Sequence, residues 1–110
     1  MSQPIIYNKF KALNYDQRKF DISLIIIHFT ETKTFNEALN LLTSLERKVS
    51  SHYLIDKSGD IFNLVDLDKR AWHAGESMWG NYNDINSRSI GIEIVNSGEV
   101  MKEDYTTKQI

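Results

Sequence analysis

Three histidines, a glutamate inside an apolar strand and a tryptophan in a small-residue loop are the side chains of this sequence best suited to chemistry. His28 falls near the end of the apolar run Leu24-Ile25-Ile26-Ile27-His28-Phe29. An imidazole where a strand ends is held rigidly and can face a cleft, as a metal ligand or a base. Glu93 interrupts Ile90-Gly91-Ile92-Glu93-Ile94-Val95. A carboxylate among such neighbours must meet a cation, a metal-bound water or solvent, because burying the bare charge is costly. Gly91 lies on the same strand face and leaves room above the sheet. A carboxylate placed there can have a raised pKa and act as a general base. It could equally face solvent from an edge strand.

His73 belongs to Ala71-Trp72-His73-Ala74-Gly75. Small flanking residues let the backbone approach a ligand, and Trp72 offers a flat apolar wall. The plainer reading has Trp72 plugging the core and His73 tying a loop. His52 shares a strand face with Leu54, which suits a core or supporting role. None of the three lies in a local metal motif such as H-E-x-x-H. The chain has no cysteine, so disulfides and thiolate metal sites are excluded, and a metal would need His, Asp or Glu.

The elements that must hold these groups follow from periodicity. Residues 1–22 read as an irregular lead-in, and residues 23–110 as the domain proper. The first strand is Leu24 to Phe29; a run apolar on both faces suggests a central strand covered on both sides. Thr34-Phe35-Asn36-Glu37 has capping-box spacing. Phe35, Ala38, Leu39, Leu42 and Leu45 then recur at helical intervals, and the helix should end near Arg47-Lys48. Val49 to Asp56 and Ile61 to Val65 read as a hairpin about Lys57-Ser58-Gly59-Asp60. Residues 66–88 form a long connection, a length common in functional loops. Ser89 to Asn96 is a strand with Ile90, Ile92 and Ile94 on one face and Gly91, Glu93 and Val95 on the other. A helix starts near Tyr105 and is interrupted at Ile110. The order predicts an α/β fold, a mixed β-sheet flanked by helices.

The 110 residues suffice for one domain with a modest core. An apolar fraction of 41%, a charged fraction of 25% and a net charge of -2 describe an ordinary globular protein. They give no nucleic-acid footprint. The run at Leu24 is too short to span a bilayer, and no apolar signal segment is visible, so no membrane partner and a cytoplasmic location are expected.

Four stretches together carry a family resemblance. They are Ile26-Ile27-His28-Phe29-Thr30; Val49-Ser50-Ser51-His52-Tyr53-Leu54-Ile55-Asp56; Asp68-Lys69-Arg70-Ala71-Trp72-His73-Ala74-Gly75; and Ser89-Ile90-Gly91-Ile92-Glu93-Ile94. In order and spacing they resemble the zinc-dependent N-acetylmuramoyl-L-alanine amidases of the amidase type 2 family, whose fold is shared by peptidoglycan recognition proteins and phage T7 lysozyme. The resemblance implies that His28 is the first zinc ligand and Glu93 the residue that activates the zinc-bound water. It implies that the Trp72-His73 loop walls the groove for a peptidoglycan or muropeptide substrate, with His52 in support. Family members supply two further zinc ligands and a lysine from a later segment. On that pattern the domain is incomplete at its C-terminus, and a separately encoded C-terminal half is one source of the missing ligands. The alternatives are a non-catalytic peptidoglycan-binding module and an inactive fragment of a split amidase gene. A zinc site made of His28, His52 and His73 is a further arrangement, though nothing in the spacing demands it.

Overall fold

The computed structural model describes residues 5–74 and 83–97. Its main sheet has five strands: β1 (Ile6–Tyr7), β3 (Leu24–Phe29), β4 (Tyr53–Ile55), β5 (Ile61–Asn63) and β7 (Ser89–Ile94). A second ribbon pairs β2 (Tyr15–Gln17) antiparallel with β6 (Lys69–Ala71). The helices are α1 (Phe35–Thr43) and the single turn α2 (Ile85–Arg88). Strand order in the main sheet is β1-β5-β4-β7-β3. Only β4 and β5 pair antiparallel, through the expected hairpin, where Gly59 takes a positive φ of 89° that side chains disfavour. The other three pairings are parallel. The mixed sheet flanked by helices is therefore as expected.

The alternation in β7 is also as expected, and it sets the site. Ser89, Gly91 and Glu93 turn to the buried face, while Ile90, Ile92 and Ile94 turn to the other. α1 covers the buried face, placing Ala38 and Leu42 against Leu54 and Val95. Phe35 closes one end of this core by packing on Phe62 at 4.7 Å between ring centres. Thr34 caps α1 by accepting the Glu37 amide at 3.2 Å.

Four expectations change. First, β3 is not central: its sole partner among the described strands is β7, and Ile25 and Ile27 are 65% and 63% exposed. An apolar run on both faces reports composition, and composition does not fix a strand's place in the sheet. Second, α1 ends at Thr43, and Leu45 is exposed. The buried amide of Asn14 donates to Ser44 O at 2.7 Å and Val49 O at 3.1 Å, drawing the carbonyl of the helix cap away from the helical path.

Third, the lead-in is structured. β1 extends the main sheet, β2 pairs with β6, and Ala12 joins the core. Asn14 O also accepts the Ser50 hydroxyl, and Ser50 Oγ in turn accepts the Trp72 amide at 3.0 Å. Polar residues with no periodicity gave no signal for these contacts, because every partner is distant in sequence. Fourth, the connection over 66–88 contains β6 and α2, joined by Arg70, which donates to Asp84 at 3.0 Å and Asp16 at 3.2 Å. The start of the helix expected near Tyr105 lies outside the described residues, as do Gly75 and Trp79.

Asn14 thus joins the lead-in, the end of α1 and the segment before β4. Asn14→Ala takes its donor from Val49 O and leaves Ser44 O only the Arg47 amide at 3.3 Å, and should cost about 1–3 kcal/mol. Chemical denaturation of the full chain measures it; an unchanged midpoint would contradict the role given to Asn14.

Candidate active site

His28 and Glu93 are register partners on neighbouring parallel strands, so both side chains stand on the buried face of the sheet. Glu93 is 8% exposed. It is on an interior strand, flanked by His28 on β3 and Leu54 on β4, so the edge-strand reading fails. Its Oε2 atom is buried without a hydrogen-bond partner among the described residues. Burial, with a smaller contribution from the charge of Glu31, pushes the Glu93 carboxyl up to about 7. A cavity of about 240 Å³ opens above it, lined by Thr30, Ala38, Leu41, Leu42, Arg47 and Val49. A carboxyl poised near neutrality at the base of a mostly apolar cavity can take a proton and give it back.

The three imidazoles have different surroundings. His52 is fully buried, just before β4. Its Nδ1 accepts the Gly91 amide at 3.0 Å, so its proton must sit on Nε2, which donates to Lys69 O at 2.8 Å. Arg18 Nη2, also 3.0 Å from that Nε2, is then a second donor, and the contact is an approach without a hydrogen bond. Arg18 is held instead by Leu67 O and Ser87 O, each at 2.9 Å. With both ring nitrogens engaged, His52 has no lone pair for a metal.

His73 is 8% exposed and lies over Gly91. A Cβ on Gly91 would stand 2.5 Å from the imidazole carbons, so only glycine admits the ring. The His73 nitrogens meet Ser89 Oγ at 2.9 Å and His28 Nε2 at 3.1 Å. Asn86 Oδ1 pins the loop by accepting the His73 and Ala74 amides at 3.1 and 2.8 Å. Burial and the neighbouring His28, His52 and arginine groups push His73 down to about 3, so it is neutral at ordinary pH. Burial also lowers His28. Trp72 is half-buried, and its indole N–H has no partner among the described residues.

The structure therefore brings His28, His73 and Glu93 together along β7 and leaves Trp72 on the adjoining segment. Sequence reasoning missed Ser89, Asn86, Arg18 and Asn14. Ser89 opens one of the four characteristic stretches, which was a usable signal; the other three had none. Among the described residues there is no group of three His, Cys, Asp or Glu side chains able to hold a metal ion. His28 alone offers a ring nitrogen without a described partner, so these residues do not by themselves make a zinc site.

A mixed sheet that sets a half-buried histidine beside a buried glutamate beneath a covering helix is the arrangement of an amidase-type site. Residues 17–110 match the N-acetylmuramoyl-L-alanine amidase family, and the chain belongs to that family. It is 38% identical over 84 residues to N-acetylmuramoyl-L-alanine amidase AmiD of Escherichia coli, covering 70% of this chain and 29% of that protein. It is 40% identical over 63 residues to 1,6-anhydro-N-acetylmuramyl-L-alanine amidase AmpD of Escherichia coli, covering 57% of this chain and 34% of AmpD. The chain thus spans about a third of these curated relatives. The crystal structure of a selenomethionine AmpD derivative superposes with a TM-score of 0.77 at 28% identity, covering 94% of this chain and 66% of that one. Escherichia coli AmiD in complex with anhydro-N-acetylmuramic acid-L-Ala-D-gamma-Glu-L-Lys gives a TM-score of 0.61 at 33% identity, covering 89% and 35%. No helix among the described residues is long and apolar enough to cross a membrane.

Two outcomes test this geometry. Gly91→Ala must displace the His73 ring, at about 1–3 kcal/mol, the usual cost of overpacking; a variant as stable as the parent would contradict the contact. For Glu93 the native pKa lies above the ordinary 4.5, at about 7. Between those values the native protein holds a proton that the unfolded chain releases, so stability falls as pH rises through the window. Above it the metal-free protein carries a penalty on the order of 3 kcal/mol. Glu93→Gln, neutral throughout, should be more stable than the parent at pH 8, with the gap closing toward pH 5. A gap independent of pH would refute the raised pKa.

Proposed function

We propose that the protein hydrolyses the amide bond between N-acetylmuramic acid and L-alanine in muropeptides, with Glu93 as the general base. The observation that carries this reading is the buried Glu93 carboxyl, with Oε2 unpartnered among the described residues and a pKa near neutral, beside His28 at the base of the cavity. AmiD of Escherichia coli, with a bound anhydro-muropeptide, supplies the substrate class. In this reading Glu93 takes a proton from a water as its oxygen attacks the lactyl carbonyl. The same proton then passes to the departing nitrogen of L-alanine, and the C–N bond breaks. Apolar walls from α1 keep bulk water from the reacting atoms. Trp72 and the His73 loop border the groove for the muropeptide.

His28 is the residue we assign as the first zinc ligand. Zinc, when bound, supplies a Lewis acid that polarises the carbonyl and acidifies water. The described residues provide one ligand and not three, so the other ligands must lie outside them, and no step is drawn through the metal. That shortfall favours a second reading, a module that binds muropeptides without cleaving them.

Incubating the full chain with an anhydro-muropeptide and excess zinc separates the two. Release of the L-alanyl peptide, reduced at least a hundredfold in Glu93→Gln, is the expected result. Saturable binding that survives Glu93→Gln, with no release by either protein, would establish the module and overturn the amidase.

A further inference from the structure

Ser89, His73 and His28 form a hydrogen-bonded chain whose direction is fixed at one end. Ser89 Oγ lies 2.7 Å from Ile85 O and 2.9 Å from His73 Nε2. A carbonyl can only accept, so the single hydroxyl proton of Ser89 goes to Ile85 O. The Ser89 oxygen must then accept from His73, which places the His73 proton on Nε2. A neutral imidazole has one N–H, so His73 Nδ1 is a bare lone pair. It lies 3.1 Å from His28 Nε2, which must donate to it.

We propose that Ser89, acting through His73, is a positioning residue that fixes His28 in its Nε2–H tautomer and leaves Nδ1 as that ring's one free lone pair. The proposal deepens the functional reading above and rests on its assignment of His28 to the site. Neither Ser89 nor His73 is placed on substrate; each acts through the next ring or hydroxyl.

The surroundings leave the chain no other direction. Ser89 is fully buried and His73 nearly so, so water does not compete for their protons. His52, 6.2 Å from His73 between ring centres, has its own nitrogens committed to Gly91 and Lys69. Gly91 provides the flat seat that keeps the His73 ring upright between Ser89 and His28. One serine hydroxyl, itself tied to the first carbonyl of α2, therefore selects which nitrogen of His28 carries the proton. A hydrogen bond on one ring nitrogen commonly sets the role of the other.

Long-range proton–nitrogen spectra of the 15N-labelled, metal-free full chain at neutral pH read each tautomer directly. The expected result is His28 biased on the order of tenfold toward Nε2–H, with His73 and His52 also protonated at Nε2. Ser89→Ala should reduce the His28 bias to within about threefold. His73→Phe, which keeps a ring over Gly91 but has no lone pair, should do the same. If Ser89→Ala does not fold, the parent spectrum and His73→Phe decide. His28 protonated at Nδ1 in the parent, or an unchanged bias in the folded variants, overturns the proposal. Those outcomes are read without hydrolysis: a wrong tautomer with intact cleavage removes this inference alone. The expected tautomer without cleavage removes the amidase reading alone.

Discussion

The His73 ring rests on the bare Cα of Gly91, and the remaining site groups are spaced by that contact. A side chain at this point of β7 would stand 2.5 Å from the imidazole. With glycine there, the ring reaches Ser89 on one side and His28 on the other. The loop that delivers it is held by Asn86, and its backbone is joined to Ser50 and through it to Asn14. The lead-in, the segment before β4 and the loop after β6 therefore converge on one strand. Close packing makes such a junction intolerant of added volume, since interiors have few voids to absorb it.

Glu93 is the second constraint, and it acts against stability. A carboxylate with a buried oxygen that has no partner among the described residues costs the fold free energy at neutral pH. Apolar packing of α1 on Leu54 and Val95 offsets that cost. The same apolar surroundings that penalise the charge bring the proton affinity of Glu93 close to neutral pH. Burial thus creates the strain and the reactivity together, a trade familiar at sites that move protons.

The histidines show how one residue type is divided by its neighbours. His52 is saturated by a backbone amide and a carbonyl, His73 by a hydroxyl and a second imidazole, and His28 keeps one nitrogen without a described partner. No three-histidine metal centre forms among the described residues, and these bonds leave His52 no lone pair to give one.

Much was legible in the sequence because it is written in local pattern. The alternation of Ser89 to Ile94 assigns Gly91 and Glu93 to one face, Gly59 marks the hairpin, and Thr34 with Glu37 marks the start of α1. The four family stretches carry His28, His73 and Glu93, which the fold brings together along β7. What the tertiary structure alone decided depends on partners far apart in the chain. The place of β3 at the end of the described sheet depends on which strands pair with it. The end of α1 is set by Asn14, thirty residues from Ser44. The tautomer proposed for His28 depends on Ser89, through His73. Periodicity records which face a side chain takes; it carries no record of what occupies that face from elsewhere, and a ring nitrogen's role is set by that occupant.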